Sequence, residues 1–155
     1  MTTRQLKLFS LIAGLEALLI DQLIKTILLR KIPASGIFLF QNEKLACSLQ
    51  TAFNKFIAFS LPLNPVLIYI LTSVLLIGLV YFVNKAIEQK DVLTAISIAT
   101  ICGAALSNLL DRVIHGAVVD YLALTIYNYH WATFNLADSL ITIFAIILII
   151  KNLKK

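Results

Sequence analysis

Asn108-Leu-Leu-Asp111-Arg112-Val-Ile-His115-Gly116-Ala-Val-Val-Asp120, continued after an interval by Phe134-Asn135-Leu-Ala-Asp138, decides how this chain is read. It sets Asn108, Asp111, Arg112, Asp120, Asn135 and Asp138 between two strongly apolar runs, 92–110 and 134–150. Runs of that length and apolarity are membrane spans, so three carboxylates crowd one membrane edge. An ionisable side chain at such depth costs roughly 2.5–3.5 kcal/mol on insertion scales and usually faces a wet or functional interior. The chemistry is therefore expected here.

Of the 155 residues, 60% are hydrophobic and 14% charged, too apolar for an ordinary soluble domain and typical of an integral membrane protein. The apolar runs are joined by short connections, with no Gly/Ser- or Pro-rich linker and no internal repeat, so residues 1–155 read as a single membrane domain. The net charge of +5 does not mark a nucleic-acid binder, because Lys and Arg sit at span ends, where membrane proteins carry them. Cys47 and Cys102 are too few and too differently placed for a disulfide framework.

Arg4 and Lys7 precede the first apolar run, as in a signal peptide. Glu16 interrupts that run and no small-x-small cleavage site follows, so the segment is expected to be kept as a first span, 6–29. As a helix it is about 36 Å long, enough to cross a hydrocarbon core of roughly 30 Å with tilt. Asp21 and Lys25 near its far end share one helix face. Either they neutralise each other while the lysine snorkels to the interface, or they belong to the site directly. Residues 30–64 mix β-prone Ile37, Phe38, Leu39 and Phe40 with turn formers such as Gly36, Asn42 and Asn54, which predicts a small sheet on the bilayer surface or over the site. Phe53, Phe56 and Phe59 recur at three-residue spacing, which predicts a short interfacial helix, either a lid over the carboxylates or a surface anchor.

Spans 65–83 and 92–110, joined by the polar connector 84–91, form a helical hairpin, and 134–150 completes an even number of spans. Both termini then share one side. Arg4, Lys7, Lys85, Lys90, Lys151, Lys154 and Lys155 on that side outnumber Arg30, Lys31, Lys44, Lys55 and Arg112 on the other, which predicts cytoplasmic termini and an Asp-rich edge at the outer face. The expected fold is an all-α integral membrane protein: four transmembrane helices with a small extracytoplasmic β-cradle and a short interfacial helix.

On one continuous helix Asp120 and Asp138 would lie about 27 Å apart, so they meet only if the chain turns between them. Tyr127-Asn-Tyr-His-Trp131 suits such a turn at a membrane interface. Two carboxylates brought together in low dielectric cannot both ionise easily and share a proton, an arrangement that activates a water and protonates a leaving amine. A thiol mechanism is disfavoured because Cys102 lies inside a span and nothing puts a histidine beside Cys47. His115 and His130 lack the spacing of zinc ligands, and no Gly-x-Ser-x-Gly elbow is present. A small proton-coupled transporter that lines a polar path with Asp21, Lys25, Asp111, Asp120 and Asp138 is the competing reading.

Five motifs resemble one family. They are Asp21-Gln-Leu-Ile-Lys25; Asn42 with Ala46 and Ser48; Gly103-Ala-Ala-Leu-Ser-Asn108-Leu-Leu-Asp111-Arg112; Gly116-Ala-Val-Val-Asp120; and Phe134-Asn135-Leu-Ala-Asp138-Ser139. In this order on four spans the chain is similar to the lipoprotein signal peptidases, or signal peptidase II. The resemblance implies a cofactor-free, metal-free aspartic peptidase of a bacterial cytoplasmic membrane, acting as a monomer among membrane lipids on a diacylglyceryl prolipoprotein. It would cut just before the lipidated cysteine. The resemblance also implies that Asp120 and Asp138 are the catalytic pair, supported by Asp21, Lys25, Asn42, Asn108, Asp111, Arg112 and Asn135. A catalytically inactive lipoprotein-binding relative is the alternative within the family. The family writes its outer-loop motif Asn-x-Gly-Ala-Ala-Phe-Ser, whereas Asn42-Glu-Lys44-Leu45-Ala46-Cys47-Ser48 differs at Lys44, Leu45 and Cys47, which bears on the shape of the substrate cradle. In the third span, Ala104 and Ser107 replace glycines but stay small enough for close helix packing.

Overall fold

The computed structural model describes every residue except Ala34, residues 56–63, Asn128, Ala132 and Lys155, and the side chains of all the others but Pro65 and His130. Four helices carry it: α1 (Thr3–Lys31), α2 (Pro65–Glu88), α3 (Val92–His115) and α4 (Leu136–Leu153). Each begins at a side chain that accepts a hydrogen bond from the first turn: Thr2, Asn64, Asp91 and Asn135. The helices run past the apolar stretches that predict them, because polarity alone does not end a helix. The third continues through Asp111 and Arg112 until Gly116, whose φ of 70° is the left-handed cap that favours glycine.

By length and composition α2, α3 and α4 can each cross a membrane. The first helix, at 29 residues, is longer than any of them but carries Lys7, Glu16, Asp21 and Lys25. The chain is thus a membrane protein with several spans. Its central helix is α3, since 56% of the most apolar window of that helix is buried against 6% for α2 and α4. Small residues let α1 reach it: a Cβ added to Gly103 would overlap the Gly14 carbonyl. At the other end of α4, Lys151 pairs with Asp91 and donates to Thr94 Oγ1, tying that helix to the start of α3.

The expected sheet is present but is not confined to residues 30–64. Strands β1 (Ile37–Gln41), β2 (Leu45–Asn54), β3 (Val118–Ile126) and the two-residue β4 (Tyr129–His130) form one antiparallel sheet in that order. The third strand comes from the chain after α3, where Val118 to Tyr121 are buried in succession, as β-branched and aromatic residues on a covered strand should be. Its register puts Ala52 opposite Asp120 and Asn54 opposite Val118. The turn expected around Tyr127 is present, with Tyr127 at φ 49° and β4 returning beyond it. The interfacial helix needs correction at its first residue. Phe53 lies in β2, paired with Val119 and half exposed, its ring edge-on to His115 at 6.0 Å. A strand neighbour in register outweighs the three-residue spacing. Phe56 and Phe59 lie outside the described residues.

Gly103→Val should separate α1 from α3 and lower stability by about 1–3 kcal/mol, the usual cost of overpacking. Gly78→Ala, at a helical position with nothing within 4 Å of the added Cβ, should be neutral or stabilise by up to about 1 kcal/mol. Thermal unfolding of the two variants in detergent compares them directly, and equal losses would refute the close approach.

Candidate active site

A helix leaves its first N–H groups without intrahelical acceptors, and α4 starts inside the protein, so its first turn must find them locally. Leu136 N–H donates to the Tyr121 hydroxyl at 2.9 Å, Ala137 N–H to Asp21 Oδ1 at 3.1 Å and Asp138 N–H to Asn135 Oδ1 at 2.9 Å. Asp138 returns the last bond, its Oδ2 accepting from Asn135 N–H at 3.2 Å. This is a capping box in which aspartate takes the place of glutamate. With its side-chain oxygen so engaged, Asn135 turns its amide nitrogen to Asp120 Oδ1 at 2.8 Å. The same asparagine therefore holds both carboxylates.

Each carboxylate has a second amide partner. Asn54 Nδ2 donates to Asp120 Oδ2 at 3.0 Å, and Asn108 Nδ2 to Asp138 Oδ1 at 2.9 Å. Burial pushes Asp120 up from its ordinary 3.8 to about 6, and the charge of Asp138 adds to this, while the Asn54 and Asn135 amides and Lys25 oppose it. Behind the pair lies a closed ionic cluster. Lys25 Nζ reaches Asp21 Oδ2 at 2.6 Å, Asp111 Oδ2 at 2.7 Å and Asn108 Oδ1 at 2.9 Å. Asp21 also accepts from Ser107 Oγ at 2.5 Å; Asp111 accepts from Val119 N–H at 3.0 Å and from Gln22 Nε2 at 2.7 Å.

Most of the expected residues thus meet: Asp21, Lys25, Asn108, Asp111, Asp120, Asn135 and Asp138 form one hydrogen-bonded network. Lys25 is 2% exposed, which rules out the snorkelling reading. Among the described residues Arg112 makes no salt bridge with its neighbour Asp111; its Nη1 donates to the Asn108 carbonyl of its own helix at 3.3 Å, and its charge acts on Asp138 and Asp120 as well as on Asp111. Asn42 lies elsewhere. It is exposed in the β1–β2 turn, where its Oδ1 accepts from Lys44 N–H and Leu45 N–H, the local bonding that makes asparagine a turn residue. The outer-segment asparagine that touches a carboxylate is Asn54. A sequence signal for it existed: Asn54-Lys-Phe-Ile-Ala58-Phe59-Ser60 fits Asn-x-Gly-Ala-Ala-Phe-Ser at Asn54, Ala58, Phe59 and Ser60, one position more than the stretch from Asn42. Tyr121 has no sequence signal of its own, Gln22 lies in a quoted motif without a role, and Ser107 reads only as a small packing residue; as neutral polar residues they lack the charge that marks the others. Among the described residues no group of three His, Cys, Asp or Glu is placed to hold a metal ion.

Two measurements probe this geometry. Lys25→Met leaves two buried carboxylates without their counter-ion and should destabilise the protein by about 3–5 kcal/mol, with part recovered when Asp111→Asn is added. No recovery would mean that the three do not act as a unit. Asp120 holds its proton more tightly folded than unfolded, so its contribution to stability is full below about pH 4 and is lost as pH rises through about 6. Asp120→Asn, which mimics the protonated form, should therefore gain in melting temperature over the wild type across that window and keep a constant lead above it. A lead independent of pH would count against the raised value.

Residues 14–154 match the family described as Signal peptidase (SPase) II. A lipoprotein signal peptidase of Polynucleobacter necessarius subsp. necessarius is 47% identical over 68 residues, 44% of this chain and 42% of that protein. One from Bacillus pumilus is 39% identical over 85 residues, 55% of this chain and 54% of its own length. The matched stretches thus span about half of these relatives. Similarity in structure extends further: a bacterial membrane enzyme solved by the in meso method superposes with a TM-score of 0.80 at 30% identity, covering 94% of this chain and 87% of the other. With nearly its whole length matched in sequence pattern and in fold, the chain belongs to the signal peptidase II family.

Proposed function

We propose that this chain is an aspartic endopeptidase that removes the signal peptide from diacylglyceryl-modified prolipoproteins, just before the lipidated cysteine. The observation that carries the proposal is the arrangement of Asp120 and Asp138 around Asn135, with Asp120 raised to about 6. With Asp120 raised to about 6, one carboxyl of the pair holds a proton while the other is ionised as the pH falls toward that value. The ionised one takes a proton from water, whose oxygen attacks the scissile carbonyl, and the protonated one donates to the carbonyl oxygen. Collapse of the tetrahedral intermediate breaks the C–N bond as a proton passes to the leaving amine. A new carboxylate and the amine of the lipidated cysteine result, with no cofactor.

Asn108 and Asn135 orient the carboxylates, and Asn54 holds Asp120 from the sheet. Asp21, Lys25 and Asp111 are positioning residues, and Arg112 supports the helix end beside them. In the membrane we place residues 1–155 as one domain with α1 as a fourth span, both termini cytoplasmic, and the sheet and carboxylates at the outer face of a bacterial cytoplasmic membrane. The diacylglyceryl group can then stay in lipid while the peptide reaches the pair. The chain would act as a monomer among membrane lipids. The transporter reading fares less well, because Asp21, Lys25 and Asp111 are locked to one another in a buried cluster instead of lining a path.

Purified protein in lipid vesicles should cleave a diacylglyceryl prolipoprotein, read as a mass shift, and leave the unlipidated precursor intact. Asp120→Asn and Asp138→Asn should each lower the rate by on the order of 10²–10⁴ while inserting normally. Residual cleavage above about a tenth of wild type would remove that residue from the pair.

A further inference from the structure

Hydroxyls inside a helix often turn back on their own backbone, and Thr100, Ser139 and Thr142 do so, donating to the Ile96, Asn135 and Asp138 carbonyls. Ser107 does not. It stands on α3 one residue before Asn108, is fully buried, and takes the place of a glycine of the family motif. Its proton crosses to α1, where Asp21 Oδ2 accepts it at 2.5 Å.

Gln22 fixes the direction of that bond. Its Nε2 lies 2.7 Å from Asp111 Oδ1, 3.1 Å from the Ser107 carbonyl and 2.9 Å from Ser107 Oγ. A carboxylate and a carbonyl only accept, so the amide must present its nitrogen to them, and Ser107 Oγ receives from that same nitrogen. The serine proton is left for Asp21, the carboxylate paired with Lys25.

A closed ring results. Lys25 donates to Asp21 and Asp111, Gln22 to Asp111 and Ser107, and Ser107 to Asp21, so the two buried carboxylates are joined by a charged route and by a neutral one. A glycine at 107 would leave the charged route alone. The neutral route governs how Asp21 is turned. Its Oδ2 is held from two sides, by the ammonium at 2.6 Å and by the hydroxyl, which leaves Oδ1 to face the Ala137 N–H at 3.1 Å. Held by the ammonium alone, the carboxylate can pivot about one contact, and Ala137 is the neighbour of Asp138 in the first turn of α4.

We propose that Ser107 is a positioning residue of the peptidase. By closing the ring its hydroxyl orients Asp21 toward the first turn of α4, and so sets where Asp138 stands relative to Asp120. Its effect on catalysis rests on the proposed peptidase activity, its effect on α4 on the geometry alone.

Ser107→Ala and Ser107→Gly both remove the hydroxyl and should share one phenotype in lipid vesicles. Amide hydrogen exchange across residues 134–140 should rise about fivefold or more, while exchange across β2 stays within about twofold of the wild type. With diacylglyceryl prolipoprotein, kcat should fall about threefold to tenfold and KM stay within about twofold, since the hydroxyl lies behind the carboxylates. Thr100→Val deletes a hydroxyl bonded within α3 and should leave both measurements within about twofold. In an Asp21→Ala background, where Lys25 still pairs with Asp111, Ser107→Ala should change the exchange by less than about twofold, because the hydroxyl acts through Asp21. Unchanged exchange at 134–140 in both serine variants, an equal rise with Thr100→Val, or a full effect of Ser107→Ala without Asp21 would overturn the assignment. So would a rise in exchange with kcat unchanged. If the wild type does not cleave and the exchange pattern holds, the proposed peptidase activity fails and the placement of α4 by Ser107 stands.

Discussion

The first turn of α4 is buried, and a buried helix N-terminus must have its N–H groups accepted. Three segments far apart in sequence answer that demand: Tyr121 on β3, Asp21 on α1 and the cap residue Asn135 itself. Each acceptor sets a further condition. A carboxylate as deeply buried as Asp21 needs a counter-ion, which Lys25 supplies from the same helix; Lys25 then satisfies Asp111, and Asp111 holds the start of β3 through Val119 N–H. The network is thus a chain of obligations that begins at one helix end and returns to the strand bearing Asp120.

Such a cluster is an expensive way to stabilise a fold. A buried ion triad can often be replaced by apolar residues with no loss, or even a gain, of stability. What it supplies here is position. The ammonium of Lys25 has three N–H donors, and its contacts with Asp21, Asp111 and Asn108 account for all of them. None is left over for Asp120 or Asp138. The lysine's hydrogen-bonded link to Asp138 runs through Asn108, which accepts from the ammonium with its oxygen and donates to Asp138 with its nitrogen. The cluster and the carboxylate pair are distinct layers of one site, joined by asparagines.

The charged members of that site were legible in the sequence because charge in an apolar run is conspicuous, and Asp21 and Lys25 also announced their pairing by helical spacing. The turn near Tyr127 was legible for a similar reason: Asp120 and Asp138 could not otherwise meet. Neutral partners were not. Gln22 and Ser107 join the site across a separation of 85 residues, a contact that no local pattern encodes. The third strand was missed because its start, Val118 to Tyr121, is buried in succession and so has no alternation to distinguish it from buried helix. The cap at Asn135 was readable from an asparagine followed three residues later by an acid, but the apolar run from Phe134 obscured where α4 begins. In the outer segment, a turn-forming asparagine and a site asparagine lie close together, and only the strand register, with Asn54 opposite Val118, separates their roles.

Asn135 also fixes the orientation of the pair. Its side-chain oxygen is committed to Asp138 N–H, so the nitrogen must face Asp120, and a flipped amide would set oxygen against carboxylate while leaving the helix cap unmade. The two carboxyls are consequently not equivalent. Asp120 lies on a strand and accepts from two side-chain amides, whereas Asp138 is bonded to the backbone of its own helix end as well as to Asn108. Burial and the neighbouring negative charge favour a proton on Asp120, and the helix N-terminus favours negative charge on Asp138. In the proposed reaction an asymmetric pair of that kind divides acid from base before substrate arrives, and Asn135, by the side on which it presents its oxygen, keeps the two carboxyls distinct.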